Sequence, residues 1–362
     1  MGKVSIVRIN DDIKNSLHRS LNLIGGIKNY INSDDRVLLK PNLNGSECCT
    51  NINLVEALIQ LLNDHNIKDV FIAESTFGNQ QITQKLFHET GYSDLAEKYN
   101  IDLINLNASE PIDVEVRNPL ILNKIKIAKE VFSADKIINI PVMKVHYATG
   151  ITLALKNLKG FLTPDEKIHF HEVGVDKAIV DLNNIIKVHL NIIDCITCME
   201  AMGPRGGEIF NLNLIIAGEN RAEVDYIGSK VMGYELNEVK HLKYFTEYHN
   251  IDLSKIELLG EKLESVIRPF KKVNLQNILP PNINIHNKNA CSSCMNALLL
   301  SFRLLERELK DEIHIYLGAL LDQKNITNGL RIAFGNCCKN NDVDTKVKGC
   351  PPYPYLLKRM FE

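Results

Sequence analysis

With 362 residues, 45% of them hydrophobic and 24% charged, the chain has the composition of an ordinary soluble protein and is too long for one small module. Its 42 Lys and Arg against 44 Asp and Glu leave a net charge of −2, which excludes a general field for nucleic acid or anionic membrane while allowing a local basic cleft. The longest apolar runs, IINIPVM and LNLIIAG, stop well short of the roughly 18 residues that suggest a spanning helix, so no membrane partner is expected.

The opening MGKVSIVRIN lacks the apolar stretch and small-residue cleavage site of a secretory leader, and Ile6 stands where a myristoylation signal needs Ser or Thr; a cytoplasmic location is expected. Short runs rich in Ile, Val and Leu then alternate with helical periodicity. Strands are predicted at Val4 to Ile9, Arg36 to Leu39, Asp69 to Ala73, Lys136 to Ile140, His189 to Asp194 and Asn213 to Ala217. Val55, Leu58, Ile59 and Leu62 at i, i+3, i+4 and i+7 predict a helix over Asn53 to His65. Periodicity breaks around Pro280 and Pro281, and a linker is predicted over 276–288. Beyond it, Met295, Leu298, Leu299, Phe302, Leu305 and Leu309 keep helical spacing, followed by predicted strands at Ile313 to Leu317 and Leu330 to Phe334. The expected fold is α/β: a largely parallel open sheet flanked by helices over 1–275, plus a small C-terminal α/β metal-binding module over 289–362.

In open α/β sheets, ligands bind outside the carboxyl ends of the strands, so polar residues just after an apolar run carry weight. RVLLK leads to Pro41 and Asn42, FIA to Glu74 and Ser75, INIPVM to Lys144 and His146, and NIID ends at Asp194. Each alone reads equally as a loop residue or a cap. Together, Lys40, Lys144, Lys156 and Lys159 would concentrate positive charge that Glu74 and Asp194 only partly offset, which suits a small carboxylate- or phosphate-bearing substrate, with Asn42 as an orienting donor. His169 and His171 in KIHFHEVG alternate as on an extended segment; a general acid or base role for His146 or His169 is expected, ahead of metal binding. The turn from Gly203 to Gly207 could line the ligand through Arg205. Neither GxxxxGK(S/T) nor GxGxxG occurs, so a Walker site or dinucleotide fingerprint is not expected.

Nine Cys, an odd number in a chain of this kind, argue against a disulfide scaffold and for thiolates as metal ligands or redox groups. Cys291 and Cys294 form CxxC at a helix start, Cys337 and Cys338 follow a predicted strand, and Cys350 sits in GCPP. Four of them, Cys291, Cys294, Cys337 or Cys338, and Cys350, would hold a 4Fe-4S cluster, with zinc as the alternative. Cys48, Cys49, Cys195 and Cys198 read as ordinary small loop residues, or as a second thiol site if their strand ends are neighbours.

LLKPN, the EST strand end, IINIPVMKVHYATGITLALKNLKGFL, HFHEVGVDKAIVDLN, NIIDCITCMEAMGPRGG, LIIAGENRAEVDYIGSKVMGY and RPFKK follow one another in an order that resembles the domain of unknown function 362 family, over about residues 3–272. That family is associated with ferredoxin-type iron–sulfur motifs and has no generally assigned reaction. The resemblance implies a site at Lys40, Asn42, Glu74, Lys144, His146, Asn157, Lys159, Asp181, Asp194 and Asp225. The usual two-cluster run CxxCxxCxxxCP is absent here, and Cys195 and Cys198 depart from the family pattern. The expected function is an iron–sulfur oxidoreductase acting on a small anionic substrate, with an electron-transfer partner such as a ferredoxin and a second copy of the chain as expected partners. The rival readings are a noncatalytic electron carrier or cluster-handling protein, and a zinc-stabilised enzyme without redox chemistry. A deep lysine-lined pocket would favour an enzyme, a flat rim the carrier.

Overall fold

The computed structural model describes residues 2–10, 12–273, 279–288, 290, 292–306, 308–318, 328–338 and 343–361. In chain order the strands are β1 (Lys3–Arg8), β2 (Val37–Pro41), β3 (Val70–Glu74), β4 (Asp102–Asn105), β5 (Pro111–Glu115), β6 (Lys124–Ala128), β7 (Lys136–Ile140), β8 (Val142–His146), β9 (Gly150–Thr152), β10 (Leu190–Glu200), β11 (Glu208–Gly218) and β12 (Glu257–Gly260). Apart from the β5–β6 hairpin they form one sheet in the order β12-β1-β11-β10-β7-β2-β3-β4, with β8 attached to β10 and β9 to β8. Every pairing from β10 to β4 is parallel, whereas β11 runs antiparallel to both β10 and β1. The strands β2 and β3 are buried along their whole length, the state of a parallel strand covered on both faces.

The helix Ile52–Asp64 that links β2 to β3 starts at Asn51, whose side chain accepts from Asn53 N, and buries Leu54, Val55, Leu58, Ile59, Leu61 and Leu62 against the sheet. From β2 the chain proceeds outward to β3 and β4, then returns to place β7 on the other side of β2. The progression reverses at the β2–β7 pair, and at such a switch point a crevice opens beyond the carboxyl ends. Pro141 follows β7 with no N–H to donate, and the next five residues pair as β8 with β10 instead of extending β7.

The C-terminal part is a second, fully parallel sheet of β13 (Ile283–Lys288), β14 (Ile313–Gly318), β15 (Leu330–Phe334) and β16 (Thr345–Val347), covered by helices Ser292–Arg303 and Pro354–Phe361 around Leu298, Phe302, Ile315, Phe334 and Leu357. The linker predicted over 276–288 therefore ends inside this sheet. Ile283 and Ile285 alternate with Asn284 and His286 at period two, a strand pattern that the preceding prolines obscured. The module is also not detached: Tyr147 and Ala148 sit in its apolar cluster, Ser293 Oγ donates to Ala148 O at 2.6 Å, and Asn296 Nδ2 donates to Tyr147 O at 3.3 Å.

Candidate functional site

A cavity of about 440 Å³ occupies the crevice beyond β2 and β3, with the C-terminal module as its outer wall through Leu300, Arg303, Tyr353 and Tyr355. The short helix Ala154–Asn157 and the 3-10 turn Leu158–Phe161 after it form the inner wall. Asp225 fixes this turn, its carboxylate accepting from Ala154 N at 2.6 Å and Leu155 N at 2.9 Å, two donors that a helix start leaves without partners. Lys156, Asn157, Lys159 and Gly160 thereby reach the cavity.

Beneath them lies a floor of satisfied charge. Lys40 Nζ donates to Glu74 Oε2 and, at 2.8 Å, to Pro41 O, while the other Glu74 oxygen accepts from Ser75 N at 2.7 Å. Burial lowers the Lys40 pKa, and Glu74 works against that shift. A side chain at position 160 would overlap both groups, so only glycine lets this turn lie on the ion pair. Lys167 Nζ donates to Ser75 Oγ at 2.7 Å, Ser75 O at 2.9 Å and Thr76 O at 3.0 Å. Three acceptors take up the three ammonium hydrogens, so Lys167 positions the exit of β3 although burial lowers its pKa to about 7.

The walls carry two histidines with opposite protonation. His146, at the end of β8, accepts at Nδ1 from Ala148 N at 3.0 Å, so its neutral ring carries the hydrogen on Nε2. His171 faces Pro351 O with Nδ1 at 3.2 Å; a carbonyl only accepts, so Nδ1 carries the hydrogen and Nε2 keeps a lone pair. Burial, then Lys156, holds His146 well below the ordinary histidine range; burial, then Lys159, does so for His171. Tyr147 stacks on His146 with centroids 4.8 Å apart and lies nearly parallel to His171 at 6.5 Å. Lys156 and Lys159 form no ion pair among the described residues. Burial lowers Lys159 to about 7 and Lys156 well below its usual value.

The structure gathers Asn42, Glu74, His146, Lys156, Asn157, Lys159 and Arg205 from the predicted set around the cavity and leaves others outside its lining. Lys40 is part of the floor, fully buried against Glu74. Lys144 is fully buried and donates to Cys48 O at 2.9 Å. Asp194 accepts from Asn51 N at 2.6 Å and Ile196 N at 2.9 Å, tying β10 to the start of the Ile52–Asp64 helix; burial raises its pKa to about 6. Asp181 accepts from the backbone of Leu120, Ile121 and Leu122, also a structural task.

His169 requires a correction. The segment predicted as extended is the helix Pro164–Val173, started by Thr163 and by Pro164 in its first turn. Residues two apart on a helix point about 200° apart, so His171 and Lys167, four apart, face the cavity while His169 is exposed beside Glu172 at 3.3 Å. Lys167, Phe170 and His171 are buried on one face of this helix, a stripe of mixed charged, aromatic and imidazole side chains that gives the sequence no apolar periodicity.

Cys291 lies outside the described residues. Cys294 is buried, Cys337 and Cys350 are exposed, and Cys338 is buried beside Tyr316 and Ala333. Among the described residues no three His, Cys, Asp or Glu side chains group so as to hold a metal ion. Cys195 and Cys198, predicted in a loop, are buried inside β10, and Cys48 Sγ lies 3.6 Å from Thr197 O, so the two thiol pairs do approach each other.

No helix among the described residues is long and apolar enough to cross a membrane. Over 228 residues the chain is 28% identical to a thylakoid-associated protein of Synechocystis, covering 60% of this chain and 69% of that protein. Among solved structures it is similar to the lactate racemase apoprotein from Thermoanaerobacterium thermosaccharolyticum, with a TM-score of 0.42 and 14% identity, over 87% of this chain and 69% of that chain. The family model described as domain of unknown function (DUF362) matches residues 37–230, more than half of the chain and the whole stretch from β2 through Arg205 that builds the inner cavity; the chain belongs to the DUF362 family.

Proposed function

We propose that the cavity is the active site of an enzyme that transfers protons on a small anionic substrate. The observation that carries this reading is the pair of oppositely protonated imidazoles in one cavity. His171 Nε2 has the lone pair to take a proton, and His146 Nε2 has a hydrogen to donate to the negative charge that develops on the substrate. The proton taken up by His171 returns to the substrate in the reverse step or exchanges with solvent, while His146 keeps its hydrogen throughout. Lys156 and Lys159 would hold the anionic group and stabilise charge that develops beside it. A concave, lysine-lined cavity supports an enzyme over an electron carrier with a flat docking rim. The test is incubation of the protein with carboxylates and phosphate esters in deuterium oxide. Carbon-bound hydrogen should exchange in at least one of them, read by NMR, and the absence of exchange across the panel would defeat the proposal.

A second reading, an iron–sulfur oxidoreductase with a ferredoxin-like partner, is favoured by the position of Cys294. A Cβ added at Gly335 would stand 3.3 Å from its sulfur and 3.9 Å from Pro352, so Cys294 faces the turns that carry Cys337 and Cys350. The described cysteines do not by themselves fit a four-thiolate site, and no step above depends on a cluster. Anaerobic purification with iron, sulfide and zinc analysis decides this reading: stoichiometric iron and acid-labile sulfide would support it, and their absence would remove it, with stoichiometric zinc pointing to the structural alternative.

A further inference from the structure

We infer that the ligand of this cavity carries a hydroxyl group beside its anionic head, and that Asn42 Oδ1 accepts the hydrogen of that hydroxyl. The inference rests on the proposed anion-binding role of the cavity and adds a second recognition element to it. Four asparagines form a chain of amides across the strand ends. At its far end Asn191 Nδ2 donates to Glu219 O at 2.8 Å. A backbone carbonyl can only accept, so this contact fixes the orientation of the Asn191 amide and presents its oxygen to Asn139 Nδ2 at 3.1 Å. Asn139 Nδ2 also donates to Ala154 O at 3.0 Å, which fixes the second amide independently. Asn139 Oδ1 then accepts from Asn157 Nδ2 at 2.8 Å, and Asn157 Oδ1 from Asn42 Nδ2 at 2.8 Å. The direction set at Glu219 thus runs to the cavity, where it leaves Asn42 with a buried Oδ1 that has no hydrogen-bond partner.

Asn42 lines the cavity and is only 9% exposed, and its Oδ1 is a desolvated acceptor buried in the cavity wall. A buried acceptor without a donor is unfavourable, and a ligand that supplies the donor removes that cost. Hydroxyl and ammonium groups could both do so. The charge of the site selects the hydroxyl: Lys156, Lys159, Lys167, Arg205 and Arg303 line the cavity against Glu47 and Glu74, and Glu74 is already paired with Lys40. An ammonium group would enter a field of its own sign. The ligand class is therefore a hydroxylated anion, carboxylate or phosphate.

The experiment measures binding of matched ligands to the full-length protein by calorimetry. Malate, succinate and aspartate share one dicarboxylate frame with a hydroxyl, a hydrogen or an ammonium at one carbon; glycerol 3-phosphate and propyl phosphate make the corresponding phosphate comparison. The hydroxylated member of at least one set should bind about tenfold more tightly than its partners, and the set that discriminates identifies the head group. Asn42→Leu should reduce the hydroxylated ligand to the level of its hydrogen analogue while leaving that analogue unchanged. If Asn42→Leu lacks a cooperative thermal transition, Asn42→Ser, which removes the carbonyl but keeps a small polar group, takes its place. Equal binding of hydroxylated and hydrogen analogues by the wild type, with both weakened by Lys156→Ala, would overturn the hydroxyl inference and leave the anion site standing. Failure of every probe to bind would instead overturn the anion-site reading on which the inference rests.

Discussion

The floor and the walls of the cavity are built from the same residue types and differ in how many of their bonding positions are already taken. On the floor, Lys40, Glu74 and Lys167 have protein partners for their hydrogens or oxygens, and Asp225 below the inner wall is bound to two backbone N–H groups. On the walls, His146 Nε2 and His171 Nε2 make no hydrogen bond among the described residues, Lys156 and Lys159 have no carboxylate partner there, and Asn42 Oδ1 is unpartnered. Burying charge is unfavourable unless it is paired, so satisfied groups stabilise a shape while unsatisfied ones are poised for a ligand. Residue identity does not separate these roles; the state of each polar atom does.

The largest effects should fall on the two imidazoles. His171→Ala and His146→Ala are each expected to lower deuterium exchange about 10²–10⁴-fold while circular dichroism and the melting temperature stay close to wild type. Comparable unfolding in both would merge the walls with the floor and end the distinction. Glu74→Gln should show the opposite pattern. It leaves Lys40 buried without its counter-charge and should cost about 3–5 kcal/mol in urea denaturation. A stability loss below about 1 kcal/mol would mean that the ion pair is not what supports the floor.

A smaller effect distinguishes Lys159 through pH. Burial lowers its folded-state pKa to about 7 from the ordinary 10.5, so near neutral pH the ligand-free fold holds ammonium and neutral amine in comparable amounts. The stability linked to that depressed pKa is present above pH 10.5 and is lost as pH falls through about 7. A bound anion favours the ammonium form, so binding should take up a proton above pH 7, and affinity should fall by up to about tenfold per unit as pH rises from there. Calorimetry in buffers of different ionisation enthalpy measures the uptake, and Lys159→Gln should reduce it. The smallest effect belongs to His169. Exposed and remote from the cavity lining, His169→Ala should change stability by less than about 0.5 kcal/mol and leave exchange untouched.

The sequence alone determined the alternation of apolar runs and helical stripes, and with it the mostly parallel α/β sheet, the Asn53 to His65 helix to within a residue of each end, and the strand ends where Asn42, Glu74 and His146 gather. These follow from local periodicity and from the rule that crevices lie at carboxyl ends, neither of which needs long-range information. Tertiary structure decided what each polar residue does there. Whether Lys40 or Lys159 meets a ligand depends on Glu74, 34 residues from Lys40 and brought beside it by the β2–β3 pairing. Which histidine faces inward depends on a helix that KIHFHEVG disguises as alternation, and its protonation depends on Pro351, 180 residues away in the C-terminal module. Hydrogen-bond partners supplied from distant segments leave no periodic trace in the chain, so only the folded contacts separate the groups that hold the cavity from those that can act within it.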